Sequence, residues 1–395
     1  MSYPSLFQSI FLDHHAEIEY FYASDYNVLN NVDRMLDCGN LDAGYAIYEC
    51  KKCEQIKFVP FHCKSRFCPS CGVKYAMMRS NSMKAKFVNC DHRHIVFTID
   101  ENLRPFFKKD HKLLNLLFDS VNELISAYFD KINKKEHFTP GFVCVLHTFG
   151  RDLKWNPHIH CVCSEGGAGN SEPWRKVTHF NFKFFRKAFQ KILLEKMLDA
   201  IGDSFKTVLS KSYKDHKEGF YVYAKDPKDS KNQKPTLEET IKYIGRYLGR
   251  PVIAMSRIDK YDGENVTFHY NRHEDDVYVE ETIPVMDFID RLVQHIPDRH
   301  FKMMRYFGIY AKHHKQESKI RKRYEGLKNP QYKAWNDYFL TWKSLMISCF
   351  NVDPIECPCC KKDMTLMTIK FNNGKETMEQ HFEKLRRKSY GFTIP

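Results

Sequence analysis

No stretch of this 395-residue sequence approaches the roughly 18 consecutive apolar residues that a membrane-spanning helix needs. The opening MSYPSLFQSIFLDHHAE lacks the basic start, long apolar centre and small-residue cleavage site of a secretory signal. There is no P-loop, no internal repeat and no spaced set of acids that would single out three carboxylates for metal-dependent strand transfer. These absences argue against a membrane protein, an ATP-driven machine, a repeat scaffold and an acid-triad nuclease. What remains is a cytoplasmic, globular chain long enough to bury a sizeable core and to hold two or three domains.

Positive charge is in excess, with 62 Lys and Arg against 49 Asp and Glu and a net charge of +13. Such a surface favours a polyanionic partner, and nucleic acid is the simplest one. The 14 cysteines cannot be a disulfide framework in a reducing compartment, so clustered ones are expected to bind metal and scattered ones to pack in cores. Their distribution suggests a division into residues 1–88, with an N-terminal helix and a small metal module, 89–265, and 266–395. The middle part reads as α+β. Strands are expected at His92–Ile99, Gly141–Phe149 and His158–Ser164, and helices at His111–Ile132 and from Phe184 onward. The run Lys225–Pro235 is a basic loop, and the part from Val266 is mixed and mostly helical, with a CPCC cluster at Cys357 to Cys360.

Cys50 and Cys53 form one CxxC pair and Cys68 and Cys71 another. Each pair suits a tight knuckle aiming two thiolates at one ion, and the two together would close a tetrahedral structural Zn2+ site. Cys38 and Cys63 are then surplus, available with His62 or another histidine for a second ion. Lys64 and Arg66, interleaved with Phe58, Phe61, Phe67 and Tyr75, have the composition of a surface that contacts phosphates and stacks on bases. The module is read either as a DNA-binding ribbon or as a ribbon that only staples the N-terminus.

Alternation along a strand puts His158 and His160 on one face and Ile159 and Cys161 on the other. If Gly150–Pro157 closes a hairpin, His147 lies across from His158 and supplies a third ligand; Asp152 and Glu165 are the alternatives. Three protein ligands with open positions describe a catalytic site for Mg2+ or Mn2+, with Zn2+ as the other option.

Pro235–Pro251 reads as a helix, with a capping box of Thr236 and Glu239 and a stop at Gly249 and Pro251. At about 100° per residue, Leu237, Ile241, Ile244 and Leu248 share one face. Tyr243 and Tyr247 share another, beside Lys242, Arg246 and Arg250, which could hold phosphates next to two phenolic nucleophiles. A pair of half-buried tyrosines at a domain seam is the plain alternative.

Taken in order, CKSRFCPSCG, HRHIVFTI, HTFGRDLKWNPHIHCVCSEGG, YIGRYLGRPVIAMSRI and HIPDRHFKMMRYFGIYA resemble the two-tyrosine HUH transposases of the insertion sequence 91 family, over roughly residues 30 to 315. The resemblance implies an HUH endonuclease domain, an antiparallel sheet flanked by helices, with His158 and His160 as metal ligands and Tyr243 and Tyr247 as nucleophiles. It implies a nucleoid-associated bacterial enzyme acting on single-stranded or hairpin ends of a mobile element and on target DNA, with a second copy of the chain as an open option. The family motif does not place the third ligand, so His147 rests on the hairpin. The CPCC departs from a CPxCG pattern, so no metal is expected from Cys357 and Cys360 alone; a knuckle held by packing or completed elsewhere fits better. Alternatives are a rolling-circle replication initiator or relaxase, and a zinc-ribbon regulator without catalysis.

Overall fold

The structure is a computed structural model that describes residues 4–132, 136–169, 172–177, 179–224, 251–272, 275–311, 324–328 and 341–371. Among these, the chain divides into two compact units, one of residues 4–75, 251–296 and 341–371, the other of residues 76–224, 297–311 and 324–328. No helix of the described residues is long and apolar enough to cross a membrane.

Along the chain come α1 (Leu6–Asp13), α2 (His15–Phe21), α3 (Tyr26–Leu36), β1 (Gly44–Glu49), β2 (Ile56–Pro60) and α4 (Pro69–Lys84). There follow β3 (His92–Thr98), α5 (Arg104–Lys109), α6 (Leu114–Ile132), β4 (Thr139–Phe149), β5 (Trp155–Ala168), β6 (Arg175–Lys176), α7 (Phe182–Ile201), α8 (Lys206–Asp215) and β7 (Val222–Ala224). The last described elements are β8 (Ile258–Tyr261), β9 (Asn265–Asn271), β10 (Tyr278–Pro284), α9 (Val285–Val293), β11 (Met304–Gly308), α10 (Trp342–Phe350) and β12 (Thr365–Phe371). The fold is α+β, with antiparallel sheets and flanking helices.

The first unit has two three-stranded sheets, ordered β12-β1-β2 and β10-β9-β8. Local signals start its helices. Ser5 and Gln8 form a reciprocal capping box on α1, and the Asp25 carboxylate accepts from the Val28 amide at the start of α3. Gln8 is buried, and its amide nitrogen lies 3.0 to 3.1 Å from the carbonyls of Met35, Leu36 and Cys38. Those carbonyls lie at the end of α3, where the helix runs out of following amides, although that of Met35 also accepts from the Cys38 amide at 3.1 Å, and the glutamine fixes the place where Cys38 emerges.

The second unit is built on a sheet with strand order β11-β4-β5-β3-β7, with β6 paired to β5. One face carries Ile95, Phe97, Phe142, Cys144, Leu146, Ile159, Cys161 and Cys163, all buried against α6 and α7. The helices meet it with apolar residues at helical spacing, among them Leu117, Phe118, Val121, Leu124 and Ile125 on α6 and Phe185, Phe189 and Leu193 on α7. Each such side chain contributes about 1.5–3 kcal/mol of burial, which makes this the stabilising layer. The opposite face is covered for part of its length, where Met83, Phe87, Val88, Ile309 and Tyr310 pack on Val143, Val145 and Val162. Gly308 turns the chain there at a φ of +57°, and a Cβ at that position would meet the Pro140 carbonyl at 1.8 Å.

The helix face also holds an ion pair. The Arg93 guanidinium donates to Glu165 Oε1 at 2.6 and 2.9 Å, both side chains are buried, and the guanidinium lies 5.5 Å from the centre of the Phe180 ring. Removing one partner of such a pair strands the other charge. Glu165→Ala should therefore destabilise the second unit by about 3–5 kcal/mol, whereas the joint change Arg93→Met and Glu165→Leu should recover most of that loss. Urea denaturation followed by circular dichroism measures both, and a single variant as stable as wild type would contradict the assignment.

Candidate metal centres and active site

His147, His158 and His160 come together because of the register of β4 against β5. His147 pairs directly with His158, and Val145 with His160, so all three imidazoles lie on the face opposite α6 and α7, farther along the rows that carry Val143, Val145 and Val162. One nitrogen from each ring lies within 4.8 Å of one from both others. The hairpin that does this is shorter than Gly150–Pro157. Phe149 pairs with Trp155, five residues close the turn, and the register shifts between His147 and Phe149. The extra residue falls at Asn156–Pro157, where a proline with no amide to donate suits a bulge, and this restores the histidine pairing.

The two alternative ligands stand elsewhere. Asp152 belongs to the turn, accepting from the Lys154 amide at 3.2 Å. Glu165 is the partner of Arg93 on the helix face.

A histidine from β3 completes the cluster. His94 is opposite Val162 in register and diagonal to His160, and its Nε2 lies 2.9 Å from His160 Nδ1 with the rings stacked at 5.2 Å. His158 Nδ1 donates to the Asn156 carbonyl at 2.7 Å, which leaves its Nε2 as the lone-pair nitrogen. That Nε2 faces His160 Nε2 at 3.1 Å. Three imidazoles with a ring nitrogen each within 4.8 Å of the others, one of them the lone-pair nitrogen of His158, are a donor set that fits a divalent cation. Burial lowers His160 well below the ordinary histidine range, and the charges of His147, His158 and His94 lower it further. Burial, helped by His158, brings His94 down to about 4. His160 and His94 are thus neutral at physiological pH, the form that ligates. His94 was legible in HRHIVFTI as a strand residue, but its role needs the strand order, which the sequence does not state.

The cysteines regroup. The CxxC pairs at Cys50/Cys53 and Cys68/Cys71 fall into different groups. Cys68 and Cys71 join Cys38 and Cys63, and Cys50 and Cys53 join Cys357 and Cys360; in each group the four sulfurs lie within 4.8 Å of one another. Cys38 Sγ is 3.6 Å from Cys71 Sγ and 3.7 Å from Cys68 Sγ, with the amide of Cys63 donating to it at 3.5 Å. The sequence pairing fails because adjacency along the chain is not adjacency in space. The end of α3, pinned by Gln8, brings Cys38 to the start of α4. Among the described residues His62 joins no further group of possible ligands; its Nδ1 bonds Cys38 Sγ at 3.5 Å, which raises its pKa. In the other group the amides of Lys52 and Cys53 donate toward Cys50 and bring its thiol down to about 6.

Of the basic residues singled out, Lys64 is exposed at a φ of +57° and the Arg66 guanidinium lies 5.3 Å from the centre of the Tyr75 ring. Tyr243, Tyr247, Lys242, Arg246 and Arg250 lie outside the described residues.

Residues 141–318 match the Y2_Tnp family model, described as "Putative transposase", and residues 10–99 match a "Transposase zinc-binding domain" named for insertion sequence 91. The transposase for insertion sequence element IS801 of Pseudomonas savastanoi pv. phaseolicola is 30% identical over 356 residues, 84% of this chain and 81% of that protein. "Putative transposase y4qJ" of Sinorhizobium fredii (strain NBRC 101917 / NGR234) is 24% identical over 305 residues, 71% of this chain and 73% of that protein. No solved structure matches significantly.

If His94 orients His160 from behind, removing it should weaken metal binding without abolishing it. His94→Ala should lose about 10–100-fold in Mn2+ affinity, and His158→Ala should lose binding at this site altogether. Isothermal titration calorimetry on the metal-stripped protein reads both, and an unchanged His94→Ala affinity would remove the orienting role.

Proposed function

The chain belongs to the insertion sequence 91 family of transposases, and from that premise we propose that it cuts and rejoins single-stranded DNA by tyrosine chemistry beside a metal held by His147, His158 and His160. As a member of that family it is a DNA transposase moving by a rolling-circle route, and it carries a zinc-binding domain. The observation that supports the finer reading is the convergence of three imidazoles on one face of the central sheet, with no carboxylate grouped with them among the described residues.

A bound Mg2+ or Mn2+ would neutralise charge on the scissile phosphate and align it for in-line displacement. The chain's own groups do the rest. The Asn156 carbonyl fixes the tautomer of His158, and His94, stacked on His160 and bonded to its Nδ1, holds that ring in place. In our reading Tyr243 or Tyr247 attacks phosphorus through its phenolic oxygen. The new P–O bond to tyrosine replaces the P–O3′ bond, the phenolic proton passes by way of water to the freed 3′ oxygen, and the 5′ end stays on the enzyme as phosphotyrosine. Because that linkage keeps the bond energy, attack by a 3′-OH on it joins strands without a nucleotide cofactor. Two tyrosines allow two such transfers in one binding event. Lys242, Arg246 and Arg250 hold neighbouring phosphates, and Lys64 and Arg66 contact the DNA backbone from the zinc module. The substrates are single-stranded or hairpin ends of the element, together with target DNA.

The test is a covalent adduct. Wild-type protein incubated with Mn2+ and an end-derived single-stranded oligonucleotide should give a species that resists denaturing electrophoresis. Tyr243→Phe with Tyr247→Phe should abolish it, and either change alone should leave one transfer but not two. An adduct of undiminished yield in the double variant would refute the tyrosine mechanism.

A further inference from the structure

The thiols of Cys357 and Cys360 lie beyond both segments matched by family models, which end at residues 99 and 318. They sit in a turn that repeats the one at Cys50. The Cys50 amide donates to the carbonyl of Gln55 at 2.9 Å, and the Cys357 amide to that of Lys362 at 2.9 Å, five residues ahead in each case. The Glu54 amide returns to the Cys50 carbonyl at 2.8 Å, and the Lys361 amide to the Cys357 carbonyl at 3.1 Å. Both returning residues are left-handed, with φ of +57° and +59°. The amides of Lys52 and Cys53 point to Cys50 Sγ, and those of Cys360 and Cys359 to Cys357 Sγ. Two CxxC segments with one hydrogen-bonding scheme, each directing amides at its first sulfur, form facing knuckles.

Their sulfurs interleave. Cys50 Sγ is 3.4 Å from Cys360 Sγ, and Cys53 Sγ is 3.4 Å from Cys357 Sγ and 3.7 Å from Cys360 Sγ. Disulfides would need about 2.05 Å, and all four cysteines are free. A tetrahedral zinc with Zn–S bonds of about 2.3 Å sets its sulfurs about 3.8 Å apart, close to these separations. The strands attached to the knuckles pair as a ribbon: β1 runs into Cys50, β12 leaves the second knuckle, and the two are antiparallel, Gly44 opposite Phe371 and Glu49 opposite Thr365. Lys57 Nζ, on β2, donates to the carbonyls of Asp353 and Glu356 at 3.3 and 3.2 Å, just ahead of the second knuckle.

We propose that Cys50, Cys53, Cys357 and Cys360 bind a second structural Zn2+, distinct from the one at Cys38, Cys63, Cys68 and Cys71, and that this ion holds the late strand β12 onto the ribbon begun by β1 and β2. The first CxxC pair of the zinc module is therefore only half a site, and its other half arrives 304 residues later, at the separation of Cys53 from Cys357. The closure joins the two segments without calling on the histidine site or the tyrosines, so its test is independent of the cleavage reaction.

The experiment uses the purified full-length chain. Zinc measured by atomic emission should fall by one equivalent per chain in Cys357→Ser with Cys360→Ser, stay at the wild-type level in Cys359→Ser, and be retained in Cys360→His, because histidine also ligates zinc. In the wild-type protein, alkylation read by mass spectrometry should label exposed Cys359 at once. Cys357 and Cys360 should label only after a chelator is added, and hydrogen exchange across β12 should rise with them. Unchanged zinc in the double variant, or labelling of Cys357 and Cys360 as fast as Cys359 before chelation, would overturn the proposal. Should the double variant not fold, the alkylation rates of the wild-type chain decide alone.

Discussion

The register of β5 is the constraint on which the candidate active site depends. Side chains alternate across a strand, so a slip of one residue would turn His158 and His160 into the helix layer and expel Ile159, Cys161 and Cys163 from it. Those three are fully buried. Ile159 alone contributes about 1.5–3 kcal/mol, and two imidazoles in an apolar layer without partners would cost more again. The slip is further opposed by Glu165, two positions beyond Cys163, whose carboxylate must stay on the helix side to meet Arg93. Packing on one face thereby fixes the positions of the candidate metal ligands on the other, and the histidines need contribute nothing to stability themselves.

Much of this was legible in the sequence for a physical reason. The helix layer of the second unit follows from local periodicity, which is why α6, α7 and the strands around Cys144 and Cys161 could be placed. His147 could be set across from His158 because hairpin partners are close in sequence, and the bulge at Pro157 changed the loop without changing the outcome. Long-range neighbours were not legible. His94 belongs to β3, which reaches β5 only through the sheet order. The cysteine groups failed for the same reason: a CxxC fixes two thiols on one knuckle and says nothing about which other knuckle they face. Proximity in sequence paired Cys50/Cys53 with Cys68/Cys71. The fold instead pairs each with thiols that α3 or the far C-terminal region delivers.

The sheet of the second unit and the ribbon of the first are held together by different means. The second unit has a continuous apolar layer between sheet and helices, enough for an ordinary hydrophobic fold. The sheets of the first are three-stranded, and β1 and β2 have six and five residues. The sulfur-lined cluster on that ribbon contains Cys50, Cys357 and Met364, with Tyr48, Cys53 and Cys360 packed against it. Elements this short supply little burial, and a structural zinc, whose binding free energy is folding free energy, is a common remedy. The thiols are where the ribbon would otherwise be weakest, at the turns where β1 ends and β12 begins.

Coordination chemistry keeps the roles apart. Four thiolates fill a tetrahedral sphere, leave no position for a phosphate oxygen, and are soft ligands that select zinc over magnesium or manganese. Three imidazoles leave positions open and are less discriminating, so the ion they hold depends on supply as much as on affinity. A chain that needs one kind of ion to hold a ribbon and another to handle a phosphate gains by not sharing donor types between them. Among the described residues the donor sets are unmixed: the two sulfur groups contain no histidine, and the imidazole group contains no cysteine, because Cys161, the nearest thiol along β5, is turned by strand alternation into the helix layer.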